Sequence, residues 1–170
     1  MLNKSQIKQL IEEKELISGY VSPDKQLTPN GFDLTAGEIS EFTSSGAVDF
    51  SNNERVLPET EKIIPKKKTE TDEYGWWQLD RGIYKVKTNE TVNMPNNLVA
   101  IAFTRTSLLR MGAFTQHGVW DAGFRGKSEF VLVVENPKGV QIKENARIAQ
   151  LAFLSAQETE SYNGIYKDLK

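Results

Sequence analysis

The residues best suited to bind phosphate lie in one short segment, residues 105–112, which follows an apolar run. Arg105 has a planar guanidinium whose donors match phosphate oxygens. Thr106 and Ser107 add hydroxyl groups and backbone amides at an expected strand-to-helix turn, a place where anions commonly bind. The alternative is a capped helical turn with Arg105 in a surface ion pair, and this segment alone favours that alternative.

A second segment, residues 118–126, holds a carboxylate that could activate water. Asp121 lies between apolar Val119 and Trp120 on one side and a small Ala-Gly pair on the other. Partial removal from water would strengthen this carboxylate as a general base. A turn aspartate that bonds its own backbone is the common alternative. Phe124 fits either the core or a surface that stacks on a sugar ring.

Three further polar residues interrupt or flank apolar segments. Gln150 stands within an apolar run and needs partners if it is buried, which a nucleotide or a sheet edge could supply. Asp33 begins another strand and could hold a Mg²⁺-bound water, because Mg²⁺ commonly keeps waters and uses few protein carboxylates. The single histidine, His117, is interpreted as a structural residue and is given no catalytic role.

The composition limits the classes of protein that the chain can represent. Its 170 residues suit one domain, expected to span residues 1–170 with a helix within 1–20 and a tail at 155–170. The formal charge of −2 argues against a nucleic-acid polymer as partner. No cysteine and one histidine exclude disulfides, thiolate nucleophiles and the common zinc sites. Without a signal segment or a membrane-length apolar run, the sequence predicts a cytoplasmic protein with no membrane partner.

Short apolar runs separated by turn residues predict a mainly β fold that positions these polar groups. Many short strands at close spacing indicate a sandwich, jelly roll or distorted barrel rather than a Rossmann sheet. One helix is predicted from Ser5, as its N-cap, to about Glu15. Residues 43–75 are polar, and the three lysines at 66–68 are expected to lie in a solvated loop or hairpin, with a phosphate-binding patch as the less favoured alternative. The apolar runs are residues 32–34, 82–86, 98–103, 130–134 and 148–153.

Taken together, these segments resemble the ordered motifs of the deoxyuridine triphosphatase and dCTP deaminase superfamily, and the tail resembles that of archaeal triphosphatases. The resemblance covers most of the chain, and five motifs in the right order are far more specific than any one of them. The matching residues are Gly31-Phe32-Asp33-Leu34, Arg105-Thr106-Ser107-Leu108 with Gly112, Gly118-x-x-Asp121-x-x-Phe124-x-Gly126, Arg147-Ile148-Ala149-Gln150-Leu151 and Tyr162-Asn163-Gly164-Ile165-Tyr166.

The resemblance implies a distorted β jelly roll that assembles as a homotrimer with active sites shared between subunits. It also implies hydrolysis of dUTP to dUMP and pyrophosphate, with Mg²⁺, in pyrimidine deoxynucleotide metabolism. Asp121 would activate a water that attacks the α-phosphorus, Phe124 would pack on deoxyribose, and Asp33 would help to place Mg²⁺ through water. The backbone of residues 114–120 would read the uracil edge. The remaining implied substrate-binding residues are Arg105, Thr106, Ser107, Arg110, Gly118, Gln150, Tyr162 and Tyr166.

The same superfamily contains dCTP deaminases, which need a second acid–base glutamate on the strand after the third motif. The family position for that glutamate is Val131 here, but Glu129 lies two residues earlier on the same face of the strand. A bulge in the strand could bring Glu129 into register. Deamination of dCTP, alone or together with hydrolysis, is therefore the alternative function.

The chain departs from the motifs at two places, and the departure in the tail supports a second alternative. The third motif has Trp120 where isoleucine or valine is usual, and Lys167 replaces the glutamine expected in the tail. An altered tail would close less well over the phosphates. A catalytically weak nucleotide-binding regulator is therefore the second alternative.

Overall fold

The computed structural model describes residues 1–168, and β-strands dominate it. This confirms the mainly β fold that the apolar runs predict, because each predicted run lies within a longer strand. The strands are β1 (Ile17–Ser18), β2 (Leu27–Thr28), β3 (Gly31–Phe42), β4 (Thr60–Lys62), β5 (Trp76–Leu79), β6 (Gly82–Asn93), β7 (Leu98–Thr104), β8 (Ala113–Gln116), β9 (Arg125–Val134), β10 (Val140–Lys143) and β11 (Arg147–Ser155). The helices are α1 (Lys4–Lys14), α2 (Pro23–Gln26) and α3 (Thr106–Arg110).

The main sheet is antiparallel and nearly closes into a barrel. Its central strands follow the order β7-β11-β3-β6-β9-β8. The two end strands approach each other where Thr104 Oγ1 accepts from Thr115 N at 2.9 Å and donates to Thr115 O at 3.0 Å. The Trp120 and Ala100 backbones also exchange two hydrogen bonds of 3.0 Å. The two motifs that follow β7 and β8 are therefore held near the closure of the barrel.

Side chains along β9 alternate between the core and the outer face of the sheet. Phe130, Leu132 and Val134 are buried, whereas the intervening side chains face outward. The first six residues of β3 are all buried, because this strand lies at the centre of the sheet. A polar residue in that stretch, such as Asp33, must therefore find its partners inside the protein.

The predicted N-terminal helix is present, but its cap differs from the expected one. Helix α1 begins at Lys4 and is capped by Asn3, whose side chain accepts from Gln6 N at 3.0 Å. The Gln6 side chain accepts in return from Asn3 N at 3.0 Å, which forms a capping box. The prediction of Ser5 as N-cap is therefore wrong, because the reciprocal bonding of Asn3 and Gln6 starts the helix earlier. The short helix α2 has no counterpart among the elements predicted from the sequence, whereas α3 lies at the expected strand-to-helix turn.

The lysine-rich segment forms a solvated hairpin, as predicted. Lys66 and Trp76 exchange two backbone hydrogen bonds of 2.9 Å, and the three lysines are exposed. The Lys68 ammonium lies 4.1 Å from the centre of the Trp76 ring, a cation–π contact. This hairpin leads into β5, which pairs with β10 in a separate two-stranded sheet. Among residues 1–168, no helix is both long and apolar enough to cross a membrane.

Candidate active site

An open cavity of about 500 Å³ brings several of the predicted site residues together. It lies against β9, the connection from β8 to β9, and the C-terminal tail. Asp121, Phe124, Glu129 and both tail tyrosines contribute to its lining, and so does Gly118. The sequence did not identify the opposite wall, where Phe42, Leu57 and Pro58 come from β3 and the polar loop after it. Because that loop has no apolar periodicity, its pattern gave no signal.

The backbone on both sides of Asp121 is fixed, whereas its side chain is exposed. Trp120 is tied to β7 on one side, and Phe124 N donates to Asp121 O at 3.1 Å on the other. The buried Trp120 indole also donates to Ser128 Oγ at 2.8 Å, which explains why this chain accommodates tryptophan at that motif position. The single chain does not provide the partial burial that the sequence suggested for Asp121.

The tail folds back onto the third motif of its own chain. Tyr162 N donates to Ala122 O at 2.7 Å, and the Tyr162 ring lies 5.8 Å from the ring of buried Phe124. Gly123 has a φ of +75°, and a Cβ there would lie 2.6 Å from the Cβ of Ser161. Glycine is therefore required for the tail to pack this closely. The last tail residues, 169 and 170, lie outside the described residues.

Glu129 projects from the same face of β9 as Val131 and lines the cavity that Asp121 lines. Its carboxylate is 3.5 Å from the Lys85 ammonium. Two extra residues do create a bulge opposite this part of β9, but they belong to β6, between Lys87 and Thr91. The prediction of a bulge within β9 is therefore wrong. The extra residues lie in β6, the strand that pairs with β9.

The first, second and fourth motifs meet in a different place, which we call the arginine cluster: Asp33, Arg105 and Arg147. The Asp33 side chain is 2% exposed, and its Oδ2 atom lies 3.0 Å from Arg105 Nε and 3.3 Å from Arg147 Nη1. Burial raises the pKa of Asp33, and the two guanidinium groups oppose that rise. Two cations surround one carboxylate, so the cluster presents positive charge to an approaching anion.

The other predicted phosphate ligands lie beside the arginine cluster. Thr106 and Ser107 form the first turn of α3 and are exposed, as is Arg110 in its last turn. Gln150 lies opposite Asp33 in the β11–β3 pairing, and its amide donates to Thr28 Oγ1 at 2.6 Å. Of the two partners that the sequence suggested for Gln150, the chain itself supplies the sheet edge, at Thr28 of β2.

Arg147 belongs to the fourth motif, but the sequence does not indicate a role for it. Its place at the start of β11, opposite Thr35, brings its guanidinium to Asp33. The signal that could have identified this role is a single arginine placed directly before an apolar run, at residues 148–153. The cavity lining contains no member of the arginine cluster. One chain therefore presents two separate groups of predicted residues: Asp121 and Glu129 line the cavity, and the predicted phosphate ligands lie at or beside the arginine cluster.

His117 packs as a structural side chain. Its ring lies 4.5 Å from the ring of Phe130, in an edge-on arrangement, and 5.9 Å from the ring of Trp120. Burial lowers the pKa of His117 to about 4. The ring is therefore neutral near pH 7, and its packing gives no support for a catalytic role.

A metal ion would find few protein ligands in the described residues. Residues 1–168 contain no group of three or more Asp, Glu, His or Cys side chains arranged to bind a metal. Asp33 is buried, and its Oδ2 atom faces two guanidinium groups, so it does not suit direct coordination. The residues fit only a metal held mainly by substrate phosphates and water, which is a common arrangement for Mg²⁺.

Fold and site together define a β-barrel protein with a carboxylate-lined cavity and a separate cationic cluster suited to anions. A family model described as dCTP deaminase-like matches residues 1–156. The chain belongs to this family, which confirms the membership that the five ordered motifs predict.

Similar proteins agree with this assignment over nearly the whole chain. A protein of Methanosarcina mazei, named probable deoxyuridine 5'-triphosphate nucleotidohydrolase, is 44% identical over 99% of this chain and 96% of its own. The deoxyuridine 5'-triphosphate nucleotidohydrolase of Methanocaldococcus jannaschii is 38% identical over 85% of this chain and 88% of its own.

A solved structure shows the same fold at lower identity. The 2'-deoxycytidine 5'-triphosphate deaminase of Agrobacterium tumefaciens is 18% identical and superposes with a TM-score of 0.62. The match covers 89% of this chain, which spans about half (47%) of the length of that deaminase chain. At this identity the likeness concerns the fold alone.

Proposed function

We propose that this protein is a dUTP diphosphatase that hydrolyses dUTP to dUMP and pyrophosphate in pyrimidine deoxynucleotide metabolism. The observation that carries the proposal is a cavity with Asp121 beside Phe124, in a chain whose relatives of similar length are named as dUTP nucleotidohydrolases. The arginine cluster adds the positive charge that a triphosphate requires. The protein would act in the cytoplasm.

In the proposed reaction, Asp121 takes a proton from a water molecule as that water attacks the α-phosphorus. The bond from the α-phosphorus to the bridging oxygen breaks, and pyrophosphate leaves with that oxygen. Arg105, Thr106, Ser107 and Gln150 hold the triphosphate and offset its charge, which is the main requirement of phosphoryl transfer. Bound Mg²⁺ would add charge neutralisation, with Asp33 reaching it through water.

The rest of the cavity would select the nucleoside. The ring of Phe124 would pack on deoxyribose and leave no room for a 2'-hydroxyl group. The backbone of residues 114–120 would read the uracil edge, with Gly118 among the lining residues. Tyr162 and Tyr166 would cover the substrate from the tail, and Arg110 would contribute positive charge from α3.

We also propose that the active site forms between subunits of a homotrimer. In one chain the cavity and the arginine cluster are separate, so a neighbouring copy would supply the missing half. Large apolar side chains remain exposed near both halves: Phe103 at 59%, Leu109 at 53% and Val119 at 58%. Exposed apolar side chains of this kind favour burial against a second copy.

Glu129 supports deamination of dCTP as a second candidate function. It lines the same cavity as Asp121, as a deaminase would need for a second acid–base group. Alternatively, Glu129 has only a structural role, as the ion-pair partner of the neighbouring Lys85 ammonium.

Product analysis with dUTP and dCTP in parallel, with Mg²⁺, separates these functions. We expect dUMP and pyrophosphate from dUTP and no ammonia from dCTP. A Glu129→Gln variant should then retain dUTP hydrolysis, as should the control Glu135→Gln, an exposed acid paired with Arg81 at 2.7 Å. Ammonia from dCTP that disappears only in Glu129→Gln would establish the deaminase. Tight dUTP binding without products would establish a regulator instead.

A further inference from the structure

A buried polar bulge in β6 lies beneath the arginine cluster. Three residues of β6, Thr88, Asn89 and Glu90, stand opposite Ser128 of β9. Glu90 is completely buried, and Asn89 is partly buried. An ionisable side chain in the interior is costly unless hydrogen bonds compensate for its lost hydration, so its position requires an explanation.

Donors surround the Glu90 carboxylate. Its Oε2 atom accepts from Thr35 N at 2.9 Å, and its Oε1 atom accepts from Thr35 Oγ1 at 2.5 Å and from Gln26 Nε2 at 2.8 Å. Burial raises the pKa of Glu90, and the hydrogen bonds from Thr35 and Gln26 oppose the rise. Glu90 therefore fixes the backbone of β3 two residues after Asp33.

Gln26 links Glu90 directly to the residue that anchors both arginines. The Gln26 amide donates to Asp33 O at 2.9 Å as well as to Glu90. Its side-chain oxygen accepts from Val21 N at 2.9 Å and Ser22 N at 2.8 Å. All the principal hydrogen-bonding groups of this buried amide are thus used to hold the main chain beside Asp33.

Asn89 extends the same set of contacts to the strand that carries Arg147. Its amide donates to Thr35 Oγ1 at 2.9 Å and to Asn145 Oδ1 at 2.8 Å. Asn145 has a φ of +65° and stands two residues before Arg147. Its own N–H donates to Ala36 O at 3.0 Å. The turn that presents Arg147 is therefore tied to β3 and to the β6 bulge.

We propose that Gln26, Asn89 and Glu90 form a positioning network that sets Arg105 and Arg147 around Asp33 for the substrate phosphates, with Arg147 as a second phosphate-binding arginine. This inference rests on the proposed function, because the phosphates are those of dUTP. Fixed donors bind a polyanion better than mobile ones, since less reorganisation is needed on binding. The three network residues act through the arginines and do not touch the substrate.

The test measures pyrophosphate and dUMP binding by calorimetry, without turnover, in the wild type, Glu90→Gln and Arg147→Ala. Glu90→Gln keeps the size of the side chain but directs an NH₂ group at donors, which loosens the network. We expect both variants to bind pyrophosphate about tenfold more weakly, and to bind dUMP within about twofold of the wild type. The KM for dUTP should rise in both.

Two further variants keep the test independent of stability. Asn89→Ala removes the link to Asn145 and should weaken pyrophosphate binding even if Glu90→Gln fails to fold. Tyr84→Phe is the matched control on the same strand, because it removes one hydrogen bond, from Tyr84 to Asp80 O at 2.9 Å, away from the cluster. It should leave pyrophosphate affinity unchanged.

Equal losses for pyrophosphate and dUMP, or no loss for pyrophosphate in Asn89→Ala and Glu90→Gln, would overturn the network. Unchanged pyrophosphate binding in Arg147→Ala would overturn the role of that arginine. A wild type that binds pyrophosphate but does not hydrolyse dUTP would refute the proposed function and leave the network testable. A wild type that does not bind pyrophosphate at all would refute the network itself.

Discussion

The cavity and the arginine cluster are built in opposite ways. In the cavity, Asp121 is exposed, Glu129 has one ion-pair partner, and the walls come from a polar loop and the tail. In the arginine cluster, Asp33 is buried between two guanidinium groups, and Glu90 and Gln26 support its strand from within. The first region is open, as entry and release of the proposed nucleoside would require, whereas the second holds fixed positive charge.

This difference matches what the two ends of a nucleoside triphosphate require. A base and sugar are recognised by shape and by a few hydrogen bonds, and walls that adjust can close around them. A triphosphate carries concentrated charge, which is bound best by cations that are already in position. The comparison predicts that changes in the cavity alter chemistry and selectivity, and that changes in the cluster alter phosphate affinity.

The largest expected effect is that of Asp121→Asn. The amide cannot accept the proton from water, so kcat for dUTP hydrolysis should fall by about 10³-fold, a typical contribution of a general base. Binding of a non-hydrolysable dUTP analogue should change little, because the phosphates are held elsewhere. The exposed Asp80→Asn is the matched control. Retained turnover in Asp121→Asn would remove this residue from the catalytic role.

Mixing two inactive variants tests whether the two regions meet between subunits. Arg105→Ala should lower kcat/KM by about 10²-fold, through loss of a charged phosphate contact. Refolding it together with Asp121→Asn should restore about one quarter of the wild-type activity, because that share of randomly mixed sites draws both intact halves from different subunits.

Activity of the mixture that only equals the sum of the separate variants would place both halves of each site in one chain. Each variant refolded alone is the control for recovery. The oligomeric state of the mixture, measured by light scattering, must match that of the wild type for the comparison to hold.

A smaller effect is expected on sugar selectivity. Phe124→Ala removes the ring that would exclude a 2'-hydroxyl group, so the preference for dUTP over UTP in kcat/KM should fall by about tenfold. Because Phe124 is buried, thermal unfolding must show that the variant remains folded at the assay temperature. An unchanged ratio in a folded variant would contradict the proposed contact with deoxyribose.

The smallest effect concerns stability at acid pH rather than catalysis. Burial holds the pKa of His117 at about 4, against 6.5 in the unfolded chain. The unfolded chain therefore gains a proton first as the pH falls. The stabilisation from His117 is complete above pH 6.5 and is lost towards pH 4.

The free energy of unfolding of the wild type should fall by about 2 kcal/mol over this range from His117, less than the full shift implies because the ring is partly exposed. Urea unfolding at a series of pH values should show a flatter acid dependence for His117→Gln. Asp33 and Glu90, whose folded-state pKa values are raised, titrate in both proteins, so the difference isolates His117. Parallel curves would contradict the buried neutral ring.

Local sequence patterns predicted the strands and the family well. Short apolar runs bounded by turn residues indicate strands, and this signal depends only on neighbouring residues. The family motifs were equally local, so their order along the chain identified the superfamily. The predicted cap of α1 was wrong by two residues. Asn3 and Ser5 are both suitable N-cap residues, and the hydrogen bonds between Asn3 and Gln6 decide for Asn3.

Contacts between residues far apart in the chain could not be predicted in this way. Glu90 and Thr35 are 55 residues apart, and Asn89 and Asn145 are 56 apart, yet both pairs form side-chain hydrogen bonds. Nothing in the pattern around Glu90 distinguishes a buried network from an exposed strand. The position of the bulge, in β6 rather than β9, was missed for the same reason.

The sequence by itself determined the mainly β fold, the family and the residues that carry its motifs, because each follows from short-range order. Tertiary structure alone decided that Asp121 and Glu129 share a cavity, while Asp33 joins two arginines elsewhere. It also decided that Asn89 and Glu90 lie beneath that cluster. The pairing of distant strands sets these positions, and buried polar groups must find partners across that pairing.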